Sequence, residues 1–157
     1  MKLGTIGEAT ITISASPEAV YDLVTDVTRM GEWSPETARG EWLDGATGPA
    51  VGARFKGSNK RGVMRWSTTP TVLAAERGRL FSFVTYMGKN EATKWSYALE
   101  PAGEGTKVTE SFELMRDTPK AILLVDRFLL RIPDRHADLV RGMQTTLERL
   151  KRVAERA

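Results

Sequence analysis

Glu110 stands between Val108 and Phe112, so in a strand of period two its carboxyl group shares a face with two apolar side chains. A carboxylate on an apolar face is costly unless it is paired, or unless its pKa rises until it is neutral near pH 7. Glu110 is therefore the candidate for hydrogen bonding to a ligand or for acid–base work. A bulge turning it outward, or an ion pair with an arginine such as Arg65, would instead make it structural. Asn59 follows Phe55 and Gly57 on the apolar parity of another alternating run and is the second polar residue on that side. Around these two, on one parity of successive strands, lie Phe55, Trp66, Phe81 with Phe83, Trp95 with Tyr97, and Phe112. Core filling accounts for such aromatics in most proteins, but Trp and Tyr carry polar tips that need partners when buried.

Other constellations are missing. His136 is the single histidine, beside Arg135 and Asp138 on a polar helical turn, where solvent exposure is expected. With one histidine and no cysteine a typical zinc site cannot be assembled, and the carboxylates lack calcium-loop spacing, so no metal is expected. Gly40, Gly45, Gly48 and Gly52 are too scattered for a phosphate cradle, and no cofactor is expected. A serine nucleophile would have no evident base.

The elements that must position these residues are legible in the periodicity. Ala9-Thr10-Ile11-Thr12-Ile13 alternates as a strand, then Val20, Leu23, Val24 and Val27 fall on one helical stripe, with Ser16 as N-cap and Pro17 at the first helical position. A second short helical turn covers 27–33 and stops at Ser34-Pro35. Strands are predicted near 38–44, 52–60, 64–75, 79–87, 93–101 and 106–115, separated by turn residues such as Arg77-Gly78 and Gly88-Lys89-Asn90. The short connections imply an antiparallel sheet of seven strands, and Gly57 suggests a bulge or bend that curves it. Residues 121–131 read as a short helix broken by Pro133. The last helix carries a stripe of Leu139, Met143, Thr146, Leu147, Leu150 and Ala154. That stripe needs a large apolar surface, and the concave face of the sheet is the one available.

Composition sets bounds. A chain of 157 residues, 41% hydrophobic, is expected to fold as one domain over 1–157 and to be large enough to hold a cavity. The absence of cysteine removes disulfides and thiolate chemistry. No run approaches the ~20 apolar residues needed to span a bilayer, so a cytoplasmic protein is expected. The net charge of +3 invites a nucleic-acid partner, but the basic residues are scattered. The densest group, Arg149, Lys151, Arg152 and Arg156, sits where cations complement a helix C-terminus, and no nucleic-acid partner is expected.

The run Ile13-x-Ala-Ser-Pro-Glu-x-Val-Tyr-Asp-Leu-Val-Thr-Asp26, then Met30-Gly-Glu-Trp-Ser-Pro35, resembles the start of the SRPBCC superfamily in its polyketide cyclase/dehydrase-like branch. Val51 to Asn59, Trp66-Ser-Thr68, Gly78 to Phe83, Trp95 to Pro101 and Gly105 to Ser111 resemble family segments in family order, so the likeness covers residues 9 to about 150. It implies an α+β helix-grip fold: a curved antiparallel sheet wrapped around a long C-terminal helix, with two short helices after the first strand. It also implies a pocket between sheet and helix for a small hydrophobic or amphipathic molecule, lipid-like or polyketide-like. The candidate lining is Phe55, Asn59, Trp66, Phe83, Trp95, Tyr97, Glu110 and Met143, with Met30 and Trp33 near a mouth. A second implied activity is cyclase or dehydratase chemistry by proton transfer at Glu110. The superfamily houses both carriers and enzymes, so the fold leaves that choice open. The protein is expected to be a monomer or homodimer.

Overall fold

The computed structural model describes residues 1–156. The chain opens with β1 (Ile6–Ile13), whose alternation buries Gly7, Ala9 and Ile13. Next comes α1 (Pro17–Val24), capped as its sequence predicts: the Ser16 hydroxyl accepts from the Ala19 amide at 3.1 Å, and Pro17 occupies the first turn. A 3₁₀ helix follows over Val27–Glu32, with Asp26 as its cap. It lies against β2 (Thr37–Trp42) so closely that a Cβ at Gly40 would collide with the Val27 carbonyl oxygen, and one at Gly31 with that of Ala38.

The remaining strands are β3 (Phe55–Arg61), β4 (Met64–Thr68), β5 (Thr71–Glu76), β6 (Leu80–Met87), β7 (Asn90–Ala102) and β8 (Gly105–Leu114). They form two antiparallel sheets, β1-β8-β7-β6-β5 and β2-β3-β4. There are eight strands rather than seven because the run predicted over 64–75 is two strands, parted at Thr69-Pro70. Proline offers no N–H to a ladder, so pairing stops there. The Pro70 carbonyl instead accepts from Phe55, and Val72 bonds to Ala53, stitching the start of β5 to the segment before β3 and joining the sheets. The bulge expected at Gly57 is not present: Gly57 pairs in regular register with Gly40 and Thr68. The register shifts fall at Thr37/Arg39, Val72/Ala74 and Thr85/Tyr86.

The stretch after β8 forms α2 (Lys120–Leu124) and continues as a π-helical turn over Val125–Leu129. It stops at Arg131, which takes φ +55, and at Pro133. Asp134 then caps α3 (Arg135–Arg156), its carboxylate accepting from the Ala137 amide. The predicted stripe faces inward: Met143, Thr146, Leu147 and Leu150 are buried, and Leu139 and Ala154 are packed against the core. One end of α3 is fastened to β1, where Lys151 Nζ donates to the Thr12 carbonyl at 2.9 Å and Glu155 accepts from the Ser14 amide at 2.8 Å. The concave faces and α3 enclose a core that includes Ile13, Val20, Val27, Val108 and Leu147. This is the helix-grip architecture.

Candidate functional site

Strand register alone assembles one wall of the site. Phe81 pairs with Tyr97, Tyr97 with Glu110 and Glu110 with Ala9, so these four form one row across β6, β7, β8 and β1. The next inward-facing row is Phe83, Trp95, Phe112 and Gly7. Phe55 of β3 meets Phe83 edge to face at 5.2 Å, and Trp95 lies 5.8 Å from Phe112. Glycine at position 7 is required, because a Cβ there would run into the Phe112 ring.

α3 packs chiefly on β1 and does not close against β3 and β4. The gap is a cavity of about 980 Å³, within the range of small-molecule sites. Phe55, Asn59, Trp66, Phe83, Trp95, Tyr97, Glu110, Met143, Met30 and Trp33 all border it. They differ in character. Phe55, Met143 and Trp33 are almost wholly buried, so their bodies belong to the core even where one edge meets the cavity. Trp33 in particular is 1% exposed, although it borders the cavity together with half-buried Met30. Trp66, Trp95 and Asn59 are half-buried. The Asn59 amide oxygen accepts from the Thr37 hydroxyl at 2.8 Å, which fixes the side chain against β2.

Glu110 is inside, 4% exposed. Neither outward rotation nor pairing with Arg65 occurs. Its one hydrogen-bond partner is the Tyr97 hydroxyl, which donates to Oε1 at 3.0 Å, while buried Oε2 has no partner among the described residues. Burial pushes the carboxyl up to about 8, opposed in part by the Tyr97 hydrogen bond. Tyr97 is itself driven well above the ordinary phenol range, by burial first and by Glu110 second. At neutral pH the pair is thus a protonated acid and a phenol, and a protonated carboxyl can donate from one oxygen and accept at the other.

The opposite end of the cavity is ionic. Arg61, at the end of β3, makes a bidentate pair with Asp138 of α3, both distances 2.7 Å, and lies 3.5 Å from Glu36. Arg135 lies 3.7 Å from buried Asp126 of the π-helical turn and 3.9 Å from Asp138. Arg61 holds the Asp138 carboxyl below its usual range, whereas burial raises that of Asp126. This cluster braces the β3–β4 hairpin, the lid formed by α2 and the π-helical turn, and the start of α3 around the mouth. Sequence reasoning did not find it, since its members come from four separate segments with no spacing between them. His136, expected in solvent, is half-buried: Nε2 donates to the Ile6 carbonyl at 3.0 Å and the ring meets Phe112 at 5.6 Å. That contact is structural and ties α3 to β1.

Among the described residues no group of acidic, histidine or cysteine side chains could hold a metal ion. No helix of the described residues is long and apolar enough to cross a membrane.

A family model described as polyketide cyclase / dehydrase and lipid transport matches residues 5–155. Comparison with curated proteins finds no match. Among solved structures, a polyketide-cyclase-like protein of Corynebacterium glutamicum is 37% identical, with 99% of this chain and 94% of that one covered and a TM-score of 0.64. A START superfamily protein of Mycobacterium smegmatis has a TM-score of 0.72 at 12% identity, covering 98% of this chain and 99% of the other. The major latex-like protein 151 of Panax ginseng reaches 0.72 at 12%, covering 97% and 98%. At that identity the last two are similar in fold alone.

Proposed function

Because the chain belongs to the polyketide cyclase / dehydrase and lipid transport family, within the START-like SRPBCC superfamily, we propose that it encloses a small hydrophobic or amphipathic molecule in the cavity between sheet and α3. The observation that carries this reading is the partnerless Oε2 of Glu110, buried at the aromatic end of the cavity, away from its ionic mouth. A buried polar atom without a partner costs about 1–3 kcal/mol, which a ligand supplying the missing hydrogen bond would recover. The apolar surroundings of the carboxyl favour a neutral oxygen function, a carbonyl or hydroxyl, because a carboxylate or an ammonium group would have to be desolvated there. Half-buried Trp66 and Trp95 flank the apolar body of the ligand. The ionic cluster at the mouth keeps the hairpin and α3 in register. The chain acts as one domain, in the cytoplasm.

Thermal-shift titration with long-chain alcohols and acids, flavonoids and polyketide-like aromatics tests this. Neutral oxygenated ligands at a hundred times their Kd raise stability by about 2.7 kcal/mol, read as a melting shift of several degrees. Failure of every member of the panel refutes it.

A second reading, cyclase or dehydratase chemistry, is favoured by the same carboxyl. A group near pKa 8 is poised to give and take a proton at neutral pH, and the cavity would hold a folded polyketide-like carbonyl chain against it. Glu110→Gln separates the two: an enzyme loses about 10²-fold or more in turnover with affinity nearly intact, and a carrier changes in affinity alone.

A further inference from the structure

We propose that the rim of the cavity docks on an anionic lipid bilayer. The outer surface of the lid is suited to such docking whatever the cavity contains. A short helix in a folded domain normally buries one apolar stripe and turns polar residues outward. The segment 120–130 is apolar on both sides. Ile122, Val125 and Leu130 border the cavity, while Leu124 is 57% exposed, Phe128 73% and Leu129 53%. Nothing among the described residues covers them. Across the mouth, the tip of the β3–β4 hairpin presents Val63 at 87% exposure, and the residues on either side of it, Gly62 and Met64, border the same cavity. The exposed apolar groups therefore rise from two sides of one opening.

Cations surround them. Lys120, Arg127 and Arg131 stand on the lid, Lys60 and Arg65 flank Val63, and Lys89 sits in the β6–β7 turn, whose neighbours Met87 and Ala92 also border the cavity. All six are exposed, and none makes an ion pair among the described residues. The nearby acids are largely engaged: Asp126 is buried, Asp134 caps α3, Glu36 and Asp138 are paired with Arg61, Asp117 accepts from the Leu3 amide, and Glu91 is exposed. Apolar side chains that reach the headgroup boundary, ringed by lysine and arginine, match an anionic bilayer surface. A second copy of the chain fits poorly, because a two-fold contact would set the cations of one rim against those of the other. Docked in this way, the mouth opens toward the acyl region and a hydrophobic ligand can pass without crossing water.

Flotation of the full chain with vesicles provides the test. The protein floats with phosphatidylcholine vesicles containing phosphatidylglycerol, floats far less with phosphatidylcholine alone, and loses binding as salt is raised. Leu124→Ser with Phe128→Ser removes exposed side chains, leaves the melting temperature close to that of the parent, and weakens vesicle binding more than ten-fold. Arg127→Gln with Arg131→Gln weakens it by roughly five-fold per charge. Val63→Ser, on a hairpin tip away from the lid, weakens it as well and serves if the lid variant does not fold. Thermal shifts by a soluble cavity ligand persist in all three variants, so failure of vesicle binding is distinguishable from failure of the cavity reading. The proposal is overturned if the protein stays unbound with phosphatidylglycerol vesicles at low salt, or if the apolar variants bind as the parent does. It is also overturned if the apolar variants abolish a dimer in sedimentation velocity while the parent shows no vesicle binding.

Discussion

Glu110→Gln should flatten one component of the pH dependence of stability. In the unfolded chain a glutamate titrates near 4.5; in the fold Glu110 titrates at about 8. Between those values the unfolded state has released a proton that the folded state retains, so stability falls as pH rises, by about 1.4 kcal/mol per pH unit. Below the window both states hold the proton, and above it both have lost it, so the slope vanishes at each end. Across the window the loss amounts to roughly 3–5 kcal/mol, a large fraction of the 5–15 kcal/mol that a domain commands. The glutamine cannot titrate and escapes this loss. Urea unfolding midpoints of both proteins, measured at intervals from pH 4.5 to 8.5, isolate the effect as a difference, which cancels the other carboxylates. The variant should gain on the parent steadily through the window. Tyr97→Phe should extend the window upward, because the hydroxyl that it removes holds the carboxyl down. Parallel curves for parent and Glu110→Gln would refute both the burial and the protonation argued for this residue.

Trp66→Ala and Trp95→Ala should leave the protein folded while weakening or redirecting ligand binding, whereas Trp33→Ala, cut from a position 1% exposed, should cost about 3–5 kcal/mol in a denaturant titration. Asp138→Ala should cost about 1–3 kcal/mol, since it strands a half-buried Arg61 that now makes two 2.7 Å bonds, and loss of less than that would show the ionic cluster to be dispensable. Gly40→Ala should destabilise more than an ordinary glycine-to-alanine change in a strand, because the new methyl meets backbone at Val27 and the 3₁₀ helix must move; circular dichroism melting reads the loss.

Local chemistry is what the sequence makes visible. The strand-to-helix switch at Ile13 to Val27, the Ser16 cap and the stripe of α3 each depend on neighbours in the chain, and each is found where the periodicity puts it. Parity likewise places Glu110, Tyr97, Trp95 and Phe83 on one concave face, because side chains in a strand alternate whatever the sheet does. Features that depend on distant partners are not visible. The break at Pro70 divides a run whose two halves pair with different strands, and the regular register at Gly57 is decided by Gly40, seventeen positions away in a separate strand. The mouth cluster draws Glu36, Arg61, Asp126, Arg135 and Asp138 from loop, strand and helix. His136 reads as a surface residue because its partners, Ile6 and Phe112, are far away in the chain. The Tyr97–Glu110 bond lies between these cases: two strands in register across one turn predict adjacency, but the turn must be placed correctly first.

Whether a ligand lies in the cavity against Glu110 can be read from NMR titration of the indole N–H and tyrosine ring signals with a neutral oxygenated amphiphile. Saturable shifts are expected at Trp66, Trp95 and Tyr97, with the shift at Tyr97 lost in Glu110→Gln. Shifts confined to surface residues, or none with any compound of the panel, would contradict a ligand in that place.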